Sequence, residues 1–167
     1  ALAAELRALH GVIALPVRED ISKDCASLIA TAKRHFTDAS TGRLQIDIIV
    51  NNAALAALAP LGNIQPEQFY TLYTTNVLGP ILLTQACMPY LPHDRSGRIV
   101  NISSVGASLG LPEQTVYAGT KGALEAMTRV WARELAERAT VNSISVGSVM
   151  TDMYLSTPDD IKDKLGL

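Results

Sequence analysis

The order of the apolar segments along the chain constrains the fold more than any other feature. Short runs rich in isoleucine and valine alternate with longer segments of helical periodicity, and the runs lie at residues 12–17, 46–50, 98–102 and 140–144. Apolar runs of about four to eight residues are typical of strands that are buried on both faces. Strands that alternate with helices form parallel sheets, so we expect an α/β fold whose sheet is covered on both faces.

The segments between these runs have the composition and spacing of helices. They lie at residues 1–10, 22–37, 66–90 and 115–138. The last of them carries an apolar stripe, which we expect in the core or at a subunit interface and which consists of Leu124, Met127, Trp131 and Leu135. A proline and two aspartates at 158–160 predict the start of a short last helix.

The composition indicates one globular domain over residues 1–167, since 48% of the residues are hydrophobic and 18% are charged. A net charge of −2 offers no basic surface for nucleic acid. No apolar run reaches the roughly 18 residues of a membrane helix, and no signal-peptide pattern opens the chain, so we expect a cytoplasmic protein. Cys25 and Cys87 predict buried, reduced thiols, and the dispersed histidines predict no metal site.

Ligands of parallel α/β sheets bind where the strands end, so the residues that follow each apolar run are candidates for function. These are mostly small polar residues, namely Asp20, Asn51 to Ala54, Ser103 to Ser104 and Val146 to Thr151.

Tyr117 and Lys121 are four residues apart at the start of a predicted helix, so their side chains share one face. A tyrosine with an ordinary pKa of about 10 is a poor acid or base at neutral pH, and a nearby ammonium favours its phenolate form. The pair predicts a proton-transfer site, and a chance surface pair is the alternative.

Ser104 ends the predicted strand that leads into this helix, where its hydroxyl suits a hydrogen bond to a substrate carbonyl. A nucleophilic serine is the competing interpretation. No GxSxG segment surrounds Ser104 and no histidine lies near it in sequence, so the chain offers no sign of its activation.

Pro80 interrupts the predicted helix at 66–90 and lacks the N–H that would bond to the carbonyl of Asn76. We therefore expect a kink there and a carbonyl free to hold an ordered water. A tolerated kink without a role is the alternative.

Several segments agree in order and spacing with one known pattern. They are Asn51-Asn52-Ala53, Thr75 to Pro80, Gly97 to Ser104, Tyr117 to Lys121, Thr140 to Ser143 and Thr151-Asp152-Met153. Together they resemble the classical short-chain dehydrogenase/reductase family from about Asp20 to Met153. The resemblance implies a Rossmann-like, doubly wound parallel sheet in three layers (helix, sheet, helix), incomplete relative to the family.

The resemblance also implies a role for each matching residue. Tyr117 would exchange the proton with the carbonyl or alcohol oxygen, Lys121 would lower the pKa of Tyr117 and hold the nicotinamide ribose, and Ser104 would position the substrate oxygen. Asn76 would hold a water in the proton relay toward Lys121.

Further contacts with NADP or NAD are implied in the same way. Asp20 would meet the adenine, Asn51 and Ala53 would flank the adenosine ribose, and Val149 and Thr151 would contact the nicotinamide carboxamide.

The chain departs from the family pattern at its ends. It has no glycine-rich TGxxxGxG turn for the cofactor phosphates, and it begins within the helix before the third family strand. The run at 12–17 and the strand at 46–50 would then be separated by an empty slot, unless they close up. We expect a truncated chain. Ala54 replaces a usual glycine and Val146 a usual proline, and neither change removes a catalytic group.

The function we expect is NAD(P)-dependent interconversion of a ketone and a secondary alcohol, with kinship to carbonyl or 3-oxoacyl reductases left open. The alternatives are a non-catalytic relative or interaction subunit that lacks the phosphate loop, and a serine hydrolase. By resemblance, the helices at 66–90 and 115–138 pair between subunits of a homodimer or homotetramer.

Overall fold

The computed structural model describes residues 2–151, Leu155 and Lys162. Its elements are α1 (Leu2–His10), α2 (Ala26–Phe36), β1 (Ile48–Asn51), a 3₁₀ turn (Leu61–Asn63), α3 (Pro66–Tyr73), a π-helical turn (Thr74–Leu78), α4 (Gly79–Cys87), a 3₁₀ turn (Met88–Tyr90), β2 (Gly97–Ser104), α5 (Gly106–Leu109), α6 (Thr115–Glu134) and β3 (Ala139–Val146). Within these residues, no helix is long and apolar enough to cross a bilayer. Met153 and the helix expected at 158–160 fall outside the described residues.

The sheet has three parallel strands in the order β1-β2-β3. Ile48 of β1 pairs with Arg98 of β2, and Gly97 and Ser104 of β2 pair with Ala139 and Val146 of β3. The strands expected at 46–50, 98–102 and 140–144 are thus confirmed, and their carboxyl ends share one edge of the sheet.

One face of the sheet carries the core. Alternate strand residues, among them Ile49, Ile99 and Val141, point toward α2, α4 and α6 and are buried there. The helices contribute Ile29, Cys87 and Leu135 to the same cluster. Both cysteines are free and buried, as expected.

The opposite face is open among the described residues. Ile48, Val50 and Ile144 point to it and are 64%, 52% and 50% exposed. Helix α1, which precedes α2, has no buried residue and does not cover this face. The fold is therefore the expected three-layer α/β type in incomplete form, because the described residues supply the sheet and one helical layer.

The strand expected at residues 12–17 does not form, and this prediction is wrong. Val12 and Ile13 are exposed, and the carbonyl of Ala14 accepts hydrogen bonds from the Arg7 guanidinium instead of a strand N–H. An apolar run becomes a strand only when a neighbouring strand exchanges backbone hydrogen bonds with it. Among the described residues the sheet ends at β1, so the segment at 12–17 does not close up against the strand at 46–50.

The segment expected as one helix at 66–90 is divided where Pro80 predicts a kink. The division takes the form of the π-helical turn, in which the N–H of Gly79 donates to the carbonyl of Thr74, five residues earlier. Asn76 lies in the middle of this turn and is buried.

Candidate active site

Ser104 is the last residue of β2 and lies at the carboxyl edge of the sheet. Its Oγ accepts a hydrogen bond from the N–H of Gly106 at 3.1 Å. This contact occupies one lone pair of the oxygen, so the hydroxyl proton is left to donate to a second group. No histidine is hydrogen-bonded to Ser104 within the described part of the chain, and nothing there activates it as a nucleophile.

Tyr117 and Lys121 lie in the first two turns of α6, which crosses the end of β2. The Lys121 side chain is buried, with 4% of the residue exposed, and Nζ donates to the carbonyl of Ile102 at 2.7 Å. The same Nζ is 5.7 Å from the centre of the Tyr117 ring. The strand end and the helix therefore bring Ser104, Tyr117 and Lys121 together.

The pKa of Tyr117 differs from the expectation. Burial raises it above the ordinary 10.0, and a hydrogen bond with the Ser104 hydroxyl acts in the opposite direction. Burial also lowers the pKa of Lys121 below 10.5. In this structure the Lys121 ammonium donates to the carbonyl of Ile102 and burial dominates the pKa of Tyr117, so the lowering of that pKa by Lys121 stays a prediction.

Asn76 joins the π-helical turn to two other segments of the site. Its Oδ1 accepts the N–H of Leu55 and its Nδ2 donates to the carbonyl of Leu55, both at 2.8 Å. Nδ2 also donates to Thr120 Oγ1 at 3.1 Å, and that hydroxyl donates to the carbonyl of Tyr117 at 2.7 Å. The Asn76 side chain thus positions the loop after β1 and the first turn of α6.

Asn51 does not face the edge of the sheet as expected. Its side chain is buried, and Nδ2 donates to Asn101 Oδ1 at 2.7 Å and to Thr84 Oγ1 at 3.3 Å. Asn101 donates in turn to Thr128 Oγ1 at 2.8 Å. The Asn51 side chain points into the core because it has the same strand parity as Ile49, and the expected contact of Asn51 with the adenosine ribose stays a prediction.

The other expected cofactor residues are exposed. Asp20 lies in a turn, where Ser22 donates to its carboxylate and Lys23 is 3.2 Å away, and these contacts lower its pKa. Ala53 lies two residues beyond β1. Val149 and Thr151 share a turn after β3, with the N–H of Thr151 donating to the carbonyl of Val149. Among the described residues, no hydrogen bond or ion pair joins these four residues to Tyr117.

Two residues of the site were missed by sequence reasoning. Thr120 lies inside the Tyr117 to Lys121 segment, three residues after the tyrosine, and this spacing could have shown that it shares the same helix face. Gln114 precedes α6, and no local pattern indicates its buried amide oxygen. A cavity of about 490 Å³ between α2 and α4, lined by Cys25 and Ala86, lies apart from all of these residues.

The family model for short chain dehydrogenases matches residues 1–162. An L-xylulose reductase of Aspergillus niger is 48% identical over 93% of this chain and 55% of its own length. An L-xylo-3-hexulose reductase of Hypocrea jecorina is 50% identical over 92% of this chain and 54% of its own length.

Among solved structures, a gluconate 5-dehydrogenase of Burkholderia cenocepacia, in complex with NADP and tartrate, has a TM-score of 0.76 and 29% identity. The match covers 91% of this chain and 58% of that one. The chain thus spans little more than half the length of these relatives. Because the family model covers almost all of its residues, the chain belongs to the short chain dehydrogenase family.

Proposed function

We propose that the protein catalyses the NAD(P)-dependent interconversion of a polyhydroxy ketone and the corresponding secondary alcohol. The observation that carries this proposal is the placement of Ser104, Tyr117 and the buried Lys121 around one point at the carboxyl edge of the sheet. A phenol, a hydroxyl and an ammonium in contact suit proton transfer to a carbonyl oxygen.

The residues present fit the nicotinamide end of such a cofactor. Lys121 and Tyr117 would hold the ribose next to the nicotinamide, because Nζ lies 5.7 Å from the centre of the Tyr117 ring at the sheet edge where ligands of this fold bind. The bound cofactor supplies the hydride. The sequence contains no TGxxxGxG turn for the phosphates, and the choice between NAD and NADP stays open.

Proton handling falls to Tyr117 in this proposal. In the direction of reduction, its phenol donates a proton to the carbonyl oxygen, and the Ser104 hydroxyl donates a hydrogen bond to the same oxygen as negative charge develops on it. Burial raises the pKa of Tyr117, so the phenol carries the proton that reduction requires, but the same shift makes that proton harder to donate. Lys121 stabilises the phenolate that remains after the transfer.

The proposed role of Asn76 is to hold a water through its carbonyl, in a proton path toward Lys121. The support is positional, since the side chain of Asn76 links the loop after β1 to Thr120, the residue next to Lys121. Its carbonyl also lacks the usual helical donor, because residue 80 is proline.

The substrate class comes from the relatives. The two with 48% and 50% identity are named for L-xylulose and L-xylo-3-hexulose, which are both polyhydroxy ketones. We also propose a homodimer or homotetramer through α3 to α4 and α6, because Phe69 and Val130 are exposed on these helices. A cytoplasmic location remains a prediction from the sequence.

The test is the Tyr117→Phe variant, with Tyr70→Phe, an exposed tyrosine of α3, as its matched control. We expect Tyr117→Phe to lower kcat for L-xylulose reduction by at least about 100-fold, because the proton donor is lost. Tyr70→Phe should retain activity, and circular dichroism should show that both variants are folded.

Two measurements distinguish the alternatives. A fluorescence titration that detects no NADH or NADPH binding by the wild-type protein would favour the non-catalytic relative. Labelling of Ser104 by a fluorophosphonate, with activity retained in Tyr117→Phe, would favour the serine hydrolase.

A further inference from the structure

The loop between β2 and α6 contains a buried acceptor that has no donor. Gln114 Oε1 is shielded from solvent and has no hydrogen-bond partner among the described residues. Among the described residues, Asn51 Oδ1 is the only other buried side-chain nitrogen or oxygen without a hydrogen-bond partner. It lies within the polar core network. A buried oxygen without a donor destabilises a folded chain, so a native example calls for an explanation.

Gln114 Oε1 lies beside the catalytic serine. A Cβ atom added to Gly106 would be 2.5 Å from Gln114 Oε1 and 3.3 Å from Ser104 Oγ. Gln114 Oε1 and Ser104 Oγ therefore both lie next to Gly106. Residue 106 must lack a side chain for Gln114 to take this position.

The backbone before Gln114 is held in an unusual conformation. Glu113 has φ of 64°, in the left-handed region that non-glycine residues seldom adopt. Its carbonyl accepts the N–H of Ala59 at 2.9 Å, and the carbonyl of Gln114 accepts the N–H of Ala118 at 2.7 Å. Contacts from the loop after β1 and from α6 thus fix the residue on both sides, and such fixed strain is common at binding sites.

We propose that Gln114 Oε1 accepts a hydrogen bond from a substrate hydroxyl on the carbon next to the reacting carbonyl. An amide oxygen accepts and cannot donate, so it selects a donor such as a hydroxyl. Ser104 would fix the carbonyl oxygen of the substrate. Gln114 Oε1, close to Ser104 Oγ, would then accept a hydrogen bond from a hydroxyl on the adjacent carbon. Gln114 is then a specificity residue for hydroxy ketones, which deepens the proposed function and rests on it.

The selection has a simple physical basis. A hydroxy ketone satisfies the buried oxygen of Gln114, whereas a plain ketone leaves it unpaired in a site from which water has been displaced. Sites built to bond a substrate hydroxyl discriminate strongly against analogues that lack it.

The experiment compares 3-hydroxybutan-2-one with butan-2-one, which differ by this one hydroxyl, using NADPH and NADH. We expect Gln114→Met, which keeps the length but removes the acceptor, to lower kcat/KM for the hydroxy ketone about tenfold, mainly through KM. Its kcat/KM for butan-2-one should stay within about twofold. Gln114→Glu keeps an acceptor and should retain the preference, and Gln85→Met, at an exposed position of α4, should match the wild type.

A binding readout accompanies the kinetics. The side-chain amide signal of Gln114 in ¹⁵N-labelled protein should shift when the hydroxy ketone is added and stay in place with butan-2-one. Equal losses on both ketones, or no loss on either, would overturn the role of Gln114 while leaving the reductase intact. If the wild type binds cofactor but reduces neither ketone nor L-xylulose, the proposed function fails and the inference fails with it.

Discussion

The two faces of the sheet are built from the same residue types, yet in the described part of the chain helices cover only one of them. Ile49, Ile99 and Val141 are buried against α2, α4 and α6, whereas Ile48, Val50 and Ile144 face outward and are about half or more exposed. The covered face also carries the polar groups with the most hydrogen bonds, such as Asn101. β-branched composition thus identifies a strand, and the helices packed against it decide what each side chain contributes.

Of the proposed catalytic residues, Tyr117 and Lys121 belong to the covered side, since both lie on α6. Lys121 reaches the carbonyl of Ile102 from α6, and Thr120 connects Tyr117 to Asn76 in the π-helical turn. The site is therefore formed where the helical layer meets the ends of the strands. A change that loosens this layer is expected to affect stability and activity together, whereas a change on the open face should affect neither.

The largest difference is expected between Ile99→Ala and Ile48→Ala, which remove the same atoms from opposite faces. Ile99 has 0% exposure, so its truncation should lower the free energy of unfolding by about 2–5 kcal/mol. Ile48→Ala should change it by less than about 0.5 kcal/mol. Urea unfolding with matched m-values measures both. Similar losses would show that the open face is covered in solution.

A smaller difference is expected between Asn101→Leu and Asn142→Leu. Asn101 is buried and hydrogen-bonded to Asn51 and Thr128, so its replacement removes one hydrogen bond from each of these buried residues and should cost about 1–3 kcal/mol. Asn142 lies on the open face in β3 and should tolerate leucine within about 0.5 kcal/mol. Thermal unfolding of the two variants provides the measurement. A stable Asn101→Leu protein would mean that the polar network is dispensable.

The smallest expected effect is a change in the pH dependence of stability at Lys121. Burial lowers its pKa in the folded state below 10.5, so the unfolded chain binds more protons in the window below that value. Stability should therefore rise as the pH increases toward 10.5, and Lys121→Met should flatten the rise. The raised pKa of Tyr117 has the opposite effect, which begins near its ordinary 10.0 and opposes the rise at the upper end of the window. An unchanged slope in Lys121→Met would argue against burial of the ammonium, and exposed Lys23 supplies the control substitution.

The sequence predicts the regular part of the molecule well, because strands and helices leave periodic patterns. The strands at 46–50, 98–102 and 140–144 and the irregularity before Pro80 follow from such patterns. Residues 12–17 have a strand-like composition, but a strand also needs a neighbour, which composition does not reveal.

The site is less predictable because its details depend on contacts between distant segments. The grouping of Ser104, Tyr117 and Lys121 follows from a strand end and one helical spacing. The burial of the Asn51 side chain was not predicted, because the last residue of a strand can point to either face. Gln114 was missed because its position is set by Gly106 and by the left-handed backbone of Glu113, neither of which forms a pattern with it.

The π-helical turn at Thr74–Leu78 has a consequence for the length of this segment. A π turn contains one residue more than an α turn, so everything after it is advanced by one position, a rotation of about 100° around the helix axis. Thr84 and Cys87 face the core with this advance included. Deletion of one residue from the turn would swing both side chains away from the sheet, whereas most substitutions there would leave them in place. The π-helical turn is therefore more sensitive to a change in its number of residues than to substitution of those residues.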